Sequence, residues 1–197
     1  MSPELARPIH RAPTAIKSGQ RKMKNELTLV AKQSALRASE ESVRLWALAS
    51  AEYPIRGGAL IQNYSEMAVL NSVTEFAVNG RRAMEAYKLK ENFYLKQPRW
   101  NWKPTKGHDK VGELREAFNR IVHAQRLDVG FEKLPTKSSC MGGEGIVIPY
   151  IMAQTDRKAL SFIDLFAMAH AWLFQVMAHI SQPLTEEAQQ DGDAKRD

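Results

Sequence analysis

The sequence predicts a mainly α-helical protein, a helical bundle with one small C-terminal β-hairpin placed just before the last helix. Three observations carry that expectation. Apolar residues recur every three or four positions along most of residues 27–90 and again over 113–125, the period of amphipathic helices. Two short β-rich runs, residues 146–153 and 159–163, flank the polar tetrad Thr155-Asp-Arg-Lys158, the pattern of a hairpin. Residues 165–180 are apolar on nearly every side, so that segment is expected to run through the middle of the bundle.

Length and composition fit one globular domain. The chain has 197 residues, 44% hydrophobic and 25% charged, enough to bury a core without staples. Its single cysteine, Cys140, excludes an internal disulfide and a cysteine-cluster metal site. No apolar run reaches the ~18 residues of a membrane span, because His170, Gln175 and His179 interrupt the longest candidate. The first residues show no apolar signal-peptide core. The expected location is the cytoplasm, with no membrane partner.

The net charge of +6 is uneven. Residues 1–37 hold eight Lys/Arg against two acids, and residues 38–197 balance at twenty against twenty. Residues 1–22, with three prolines and no hydrophobic period, read as a disordered basic arm, either a phosphate-contacting segment or a solvated extension. Residues 23–182 read as the helical domain. Residues 183–197, with five acids against two bases, read as an acidic disordered tail.

Within the domain, a first helix is expected over about 27–52, its apolar face including Val43, Leu45, Trp46 and Leu48, ended at Tyr53-Pro54. A second should begin near Ala59 or Ser65 and run to about Lys90, slightly weakened by Gly80. Two prolines and a glycine then forbid a regular helix over residues 92–107. This loop interleaves Trp100 and Trp102 with Arg99 and Lys103. Rings that stack on bases beside cations that track phosphates suit single-stranded nucleic acid. The other reading is that the two tryptophans pin the loop to the core. Residues 127–135 lead out of the third helix, and the Gly-rich stretch 137–145 is a connector. Pro149 places the first hairpin strand at an edge or a bulge, and Asp164 is a natural N-cap for the last helix.

The chemistry-bearing stretch is the third helix. At ~100° per residue, Leu114, Phe118, Ile121 and Gln125 share one side, while Arg115, Asn119, His123 and Arg126 share another. An imidazole titrates near neutrality and exchanges protons, and guanidinium and amide groups beside it can hold a phosphate. That combination suits metal-independent RNA cleavage. Equally, these are a helix's solvated residues, with Glu116 and Arg120 as ion-pair partners. No metal or other cofactor is called for: His170 and His179 lie on opposite sides of one helix, and Cys140 has no histidine nearby in sequence.

The segment Leu114-Arg-Glu-Ala-Phe-Asn-Arg-Ile-Val-His-Ala124 resembles the signature helix of the HEPN superfamily, and Leu70–Arg82 resembles a core helix of the same fold. These are small helical bundles of bacterial toxin–antitoxin and antiphage systems and of RNA-cleaving effectors. The resemblance implies RNA cleavage or binding, a homodimer, and a protein partner such as an antitoxin or another defence component. It implies His123 as general base or acid, with Asn119, Arg115 and Arg120 as its catalytic neighbours. Arg126, Arg99, Lys103, Trp100 and Trp102 would contact RNA. Active members usually carry an arginine, then four to six residues, then the histidine. Here Arg115 and Arg120 miss that spacing, and Asn119 takes the polar position. The alternative is a non-catalytic helical adaptor that binds a protein.

Overall fold

The computed structural model describes residues 15–55, 58–134, 136–140 and 144–181. Two long helices form an outer layer: α1 (Ala15–Ser50) and α2 (Gly58–Ala86). The short α3 (Leu114–Val122) and α4 (Leu165–Ala171) complete the helices; α4 continues through a π turn, Trp172–Val176, to residue 181. Five strands form one mixed sheet: β1 (Tyr53–Pro54), β2 (Asp109–Lys110), β3 (Arg126–Leu134), β4 (Gly145–Gln154) and β5 (Ser161–Asp164). No helix among the described residues is long and apolar enough to cross a membrane.

The expected bundle with a small hairpin is therefore corrected. The sheet runs through the middle of the molecule. The hairpin itself exists as antiparallel β4–β5, with Ile151 opposite Ile163. It is the centre of a larger sheet because β4 is also paired along its other edge. There β3 runs antiparallel to it from Arg126↔Gln154 to Leu134↔Gly145. Residues 146–149 and 151 of β4 are buried on both faces, as a strand covered by helices must be. Helices α1, α3 and α4 all pack on it.

The stretch expected to lead out of the third helix is thus a strand, and its signal is Leu127, Val129 and Phe131 alternating with Asp128, Gly130 and Glu132. Pro149 lies in an interior strand, at an irregularity. The β3 register slips between Gly130 and Glu132 opposite it, and β1 and β5 pair with β4 only on either side of it. A residue without an N–H is tolerated there. Gly130 faces Tyr150 across the strands, and a Cβ at 130 would run into the Tyr150 ring.

The two long helices differ from expectation in their ends. Helix α1 starts at Ala15, inside the stretch expected as an arm, and α2 stops at Ala86, where Lys88 takes a left-handed φ of 54°. Residues 1–14 and the acidic tail 183–197 lie outside the described residues. On α1, Ala31, Ala35, Ala38, Leu45 and Ala49 are buried, four of the five being alanines. The core is knit by Phe76, Phe118 and Trp172, whose rings meet edge-on or tilted at 5.0–6.2 Å. Gly80 sits against this group, since a Cβ there would lie 2.6 Å from Phe118 Cζ. The glycine that weakens α2 locally is what lets α3 pack on it. The final helix begins buried, but its π turn puts Phe174 outside at 60% exposure, so it does not run wholly through the interior.

Candidate functional site

Helix α3 is amphipathic, and Leu114, Ala117, Phe118 and Ile121 are buried as the periodicity predicts. It ends sooner than the sequence suggests. His123 is its C-cap, with the backbone N–H donating to Asn119 O at 3.1 Å. Two residues later the Gln125 N–H donates to Gln154 O at 2.9 Å, and β3 has begun. Pairing with β4 outcompetes a further helical turn, so Gln125 is exposed rather than buried. Arg126 leaves the helical ridge and pairs with Asp128 at 2.6 Å.

This geometry brings the end of α3 against the turn between β4 and β5. The turn is held by Thr155, whose N–H donates to Lys158 O at 3.2 Å and whose Oγ1 accepts from the N–H groups of Arg157 and Lys158 at 3.3 and 3.0 Å. Such hydroxyl-capped turns free the side chains to project. Between the two elements lies a cleft of about 440 Å³, lined by Glu116, Asn119, Arg120, His123 and the four residues 155–158.

Inside it the groups are differently committed. Arg120 donates to Glu116 Oε1 from Nη2 at 2.7 Å and to Ser161 Oγ from Nη1 at 2.6 Å, and the Ser161 hydroxyl donates to Ala153 O at 3.2 Å. Arg120 therefore straps α3 to β5 and the cleft floor. Arg157 Nε stands 3.6 Å from Asp156 Oδ2. The side-chain ends of Lys158 and Asn119 make no hydrogen bond or ion pair among the described residues. His123 is exposed, and Arg81 of α2 lies behind it, with Nη1 3.2 Å from Nε2. A guanidinium only donates, so Nε2 accepts and the ring proton resides on Nδ1. Arg81 is in turn held by Glu85 at 2.8 Å.

Of the residues expected to act with His123, the structure brings Asn119 and Arg120 to it and takes the others elsewhere. Arg115 donates to Leu89 O at 2.5 Å, tying α3 to the segment after α2. Trp102 is buried, with Nε1 donating to Asp164 Oδ2 at 2.7 Å and its ring 4.4 Å from Tyr150. Trp100 Nε1 donates to Ala49 O at 2.6 Å, and Arg99 lies over its ring at 5.4 Å. Both indoles pin the long loop to the core, as the second reading of that loop predicts. Lys103 is exposed in the same loop. The loop borders a separate groove of about 420 Å³ beside β3 and β4, lined by Trp100 and Trp102 but not by any of the α3 residues.

Three residues beside His123 that the sequence did not single out are Arg81, which contacts its ring, and Arg157 and Lys158, which line the cleft. The turn was legible as a turn, but only tertiary packing joins it to His123. Asp164 caps α4 as predicted, accepting from the Ala167 N–H at 2.8 Å. Asp109 lies in β2, parallel to β5. Cys140 Sγ donates to Glu52 Oε2 at 3.0 Å, and that carboxylate raises its pKa, which keeps the thiol protonated. Among the described residues no cluster of three or more His, Cys, Asp or Glu is arranged to hold a metal ion.

Fold and site together define an α+β protein with a histidine-bearing cleft bordered by the β4–β5 turn. No protein-family model, curated protein or solved structure matches the chain.

Proposed function

We propose that this is a HEPN-like RNA-cleaving or RNA-binding protein that engages a phosphodiester in the cleft between α3 and the β4–β5 turn. One observation carries the reading: His123, Asn119, Arg157 and Lys158 line a single open cleft. Lys158 and Arg157 offer charge to phosphate oxygens, Asn119 offers an amide, and the Nδ1–H of His123 is a donor aimed by Arg81. In cleavage, His123 takes the 2′-hydroxyl proton, the 2′-oxygen attacks phosphorus, and the P–O5′ bond breaks as the protonated imidazole returns that proton, directly or through water, to the 5′-oxygen, giving a cyclic phosphate and a 5′-hydroxyl. For Nε2 to serve as that base, the imidazole must first let go of Arg81. The setting that fits is a cytoplasmic homodimer in a bacterial defence or toxin–antitoxin system, with an antitoxin or defence component as protein partner.

The second reading, a non-catalytic helical adaptor, is favoured by the intramolecular contacts of Arg115, Arg120 and Arg126. Incubating purified protein with total RNA in the absence of added metal separates the two. The enzyme reading expects fragments ending in cyclic phosphate that vanish with His123→Ala. Intact RNA, together with growth unaffected by expression of either form, supports the adaptor.

A further inference from the structure

The outward face of α2 carries a second pattern that the cleft does not use. Leu60, Tyr64, Met67, Asn71, Thr74 and Val78 are all exposed, at 66%, 71%, 58% and 38% for Leu60, Tyr64, Met67 and Val78. Their spacing alternates four, three, four, three, four. That is the a/d register of a coiled-coil seam, with Leu60, Met67 and Thr74 at d and Tyr64, Asn71 and Val78 at a.

The seam is less polar than its letters suggest. Thr74 Oγ1 donates to its own helix at Leu70 O, 2.8 Å away, which turns the methyl outward. Glu75, next to Thr74, is bonded by Asn79 Nδ2 at 3.2 Å. No residue of the seam is charged, although the solvent side of a surface helix is ordinarily charged and polar. The side-chain amide of Asn71 makes no hydrogen bond among the described residues.

We propose that this seam pairs with the same seam of a second copy, as a parallel, two-fold coiled-coil contact between the two α2 helices. Asn71 selects that occupant. A lone asparagine at an a position is well placed only opposite another asparagine, in a parallel pair of fixed register, and a second copy supplies one at the same level. An unrelated apolar helix would leave the amide buried and unpaired, at a cost. Eighteen residue steps give a seam roughly 27 Å long. The inference takes up the homodimer of the proposed function but none of its RNA chemistry, and its test reads mass and cross-links only.

Sedimentation equilibrium of the full chain is expected to give twice the 22.3 kDa chain mass. Met67→Glu, at an exposed position, is expected to keep the helical circular dichroism and sediment at the chain mass. Because Cys140 is the only cysteine, Asn71→Cys in a Cys140→Ser background reports the register and should form an intermolecular disulfide under mild oxidation. Wild-type protein at the chain mass at every soluble concentration overturns the proposal. So does a dimer that survives Met67→Glu, or one in which Asn71→Cys does not cross-link.

Discussion

Arg81 Nη1 lies 3.2 Å from His123 Nε2, so a cation on α2 fixes the ring that caps α3. The contact orders the imidazole and assigns its tautomer. Long-range proton–nitrogen NMR of His123 should show the proton on Nδ1 and an acceptor-type shift at Nε2. In Arg81→Ala the preference should relax toward the Nε2–H tautomer common in a free histidine side chain. An Nε2–H ring in the wild type would contradict the contact.

Gly80 allows Phe118 to reach the core. Alanine at 80 gains up to ~1 kcal/mol of helix propensity, but its Cβ would stand 2.6 Å from Phe118 Cζ, and overpacking costs about 1–3 kcal/mol. Gly80→Ala should therefore lose about 1–2 kcal/mol in urea unfolding. The loss should shrink when Phe118→Leu is added, because the two sites share one clash. Additive losses would mean that the clash is not the cause.

Asp164 joins three elements: it caps α4, accepts from Trp102 Nε1, and lies 3.4 Å from Lys110 Nζ. Asp164→Ala removes a cap worth about 1 kcal/mol and leaves a buried indole N–H unmet, a further 1–3 kcal/mol or so. Thermal unfolding should show the sum, and Asp164→Asn should recover most of the cap. Equal stability of the alanine and asparagine forms would count against this role.

Tyr150 gives a pH signature. Burial, and then its hydrogen bond to the Glu132 carboxylate at 3.0 Å, raise the phenol pKa to about 12. A pKa above the unfolded value of 10.0 means the folded state holds the proton more tightly. The resulting stability is fully present below pH ~10 and is lost as pH rises through ~12. Tyr150→Phe should flatten that alkaline decline, and absorbance titration should show the phenol that ionises near pH 12 missing from that variant.

Much of the helical framework was legible because burial follows local period: Leu114, Phe118 and Ile121 are inside α3, and Asp164 is the cap it reads as. The sheet was harder. Strands β1 and β2 are two residues each and exist only because β4 and β5 offer edges to pair with. The alternation of β3 was present in the sequence but followed directly on a helical pattern, and nothing local fixes where one period yields to the other. The site was half legible for the same reason. His123 and Asn119 share a helix, whereas Arg81 and Lys158 reach them only through packing.

The central claim is that the cleft beside His123 holds an RNA phosphate, and the salt dependence of binding tests it most directly. Fluorescence anisotropy with a short single-stranded RNA should show affinity falling with salt. The double substitution Arg157→Ala/Lys158→Ala should weaken binding and reduce the slope of log K against log salt by about 1.4, at ~0.7 per phosphate contact on single strands. An unchanged affinity and slope in that variant would contradict the claim.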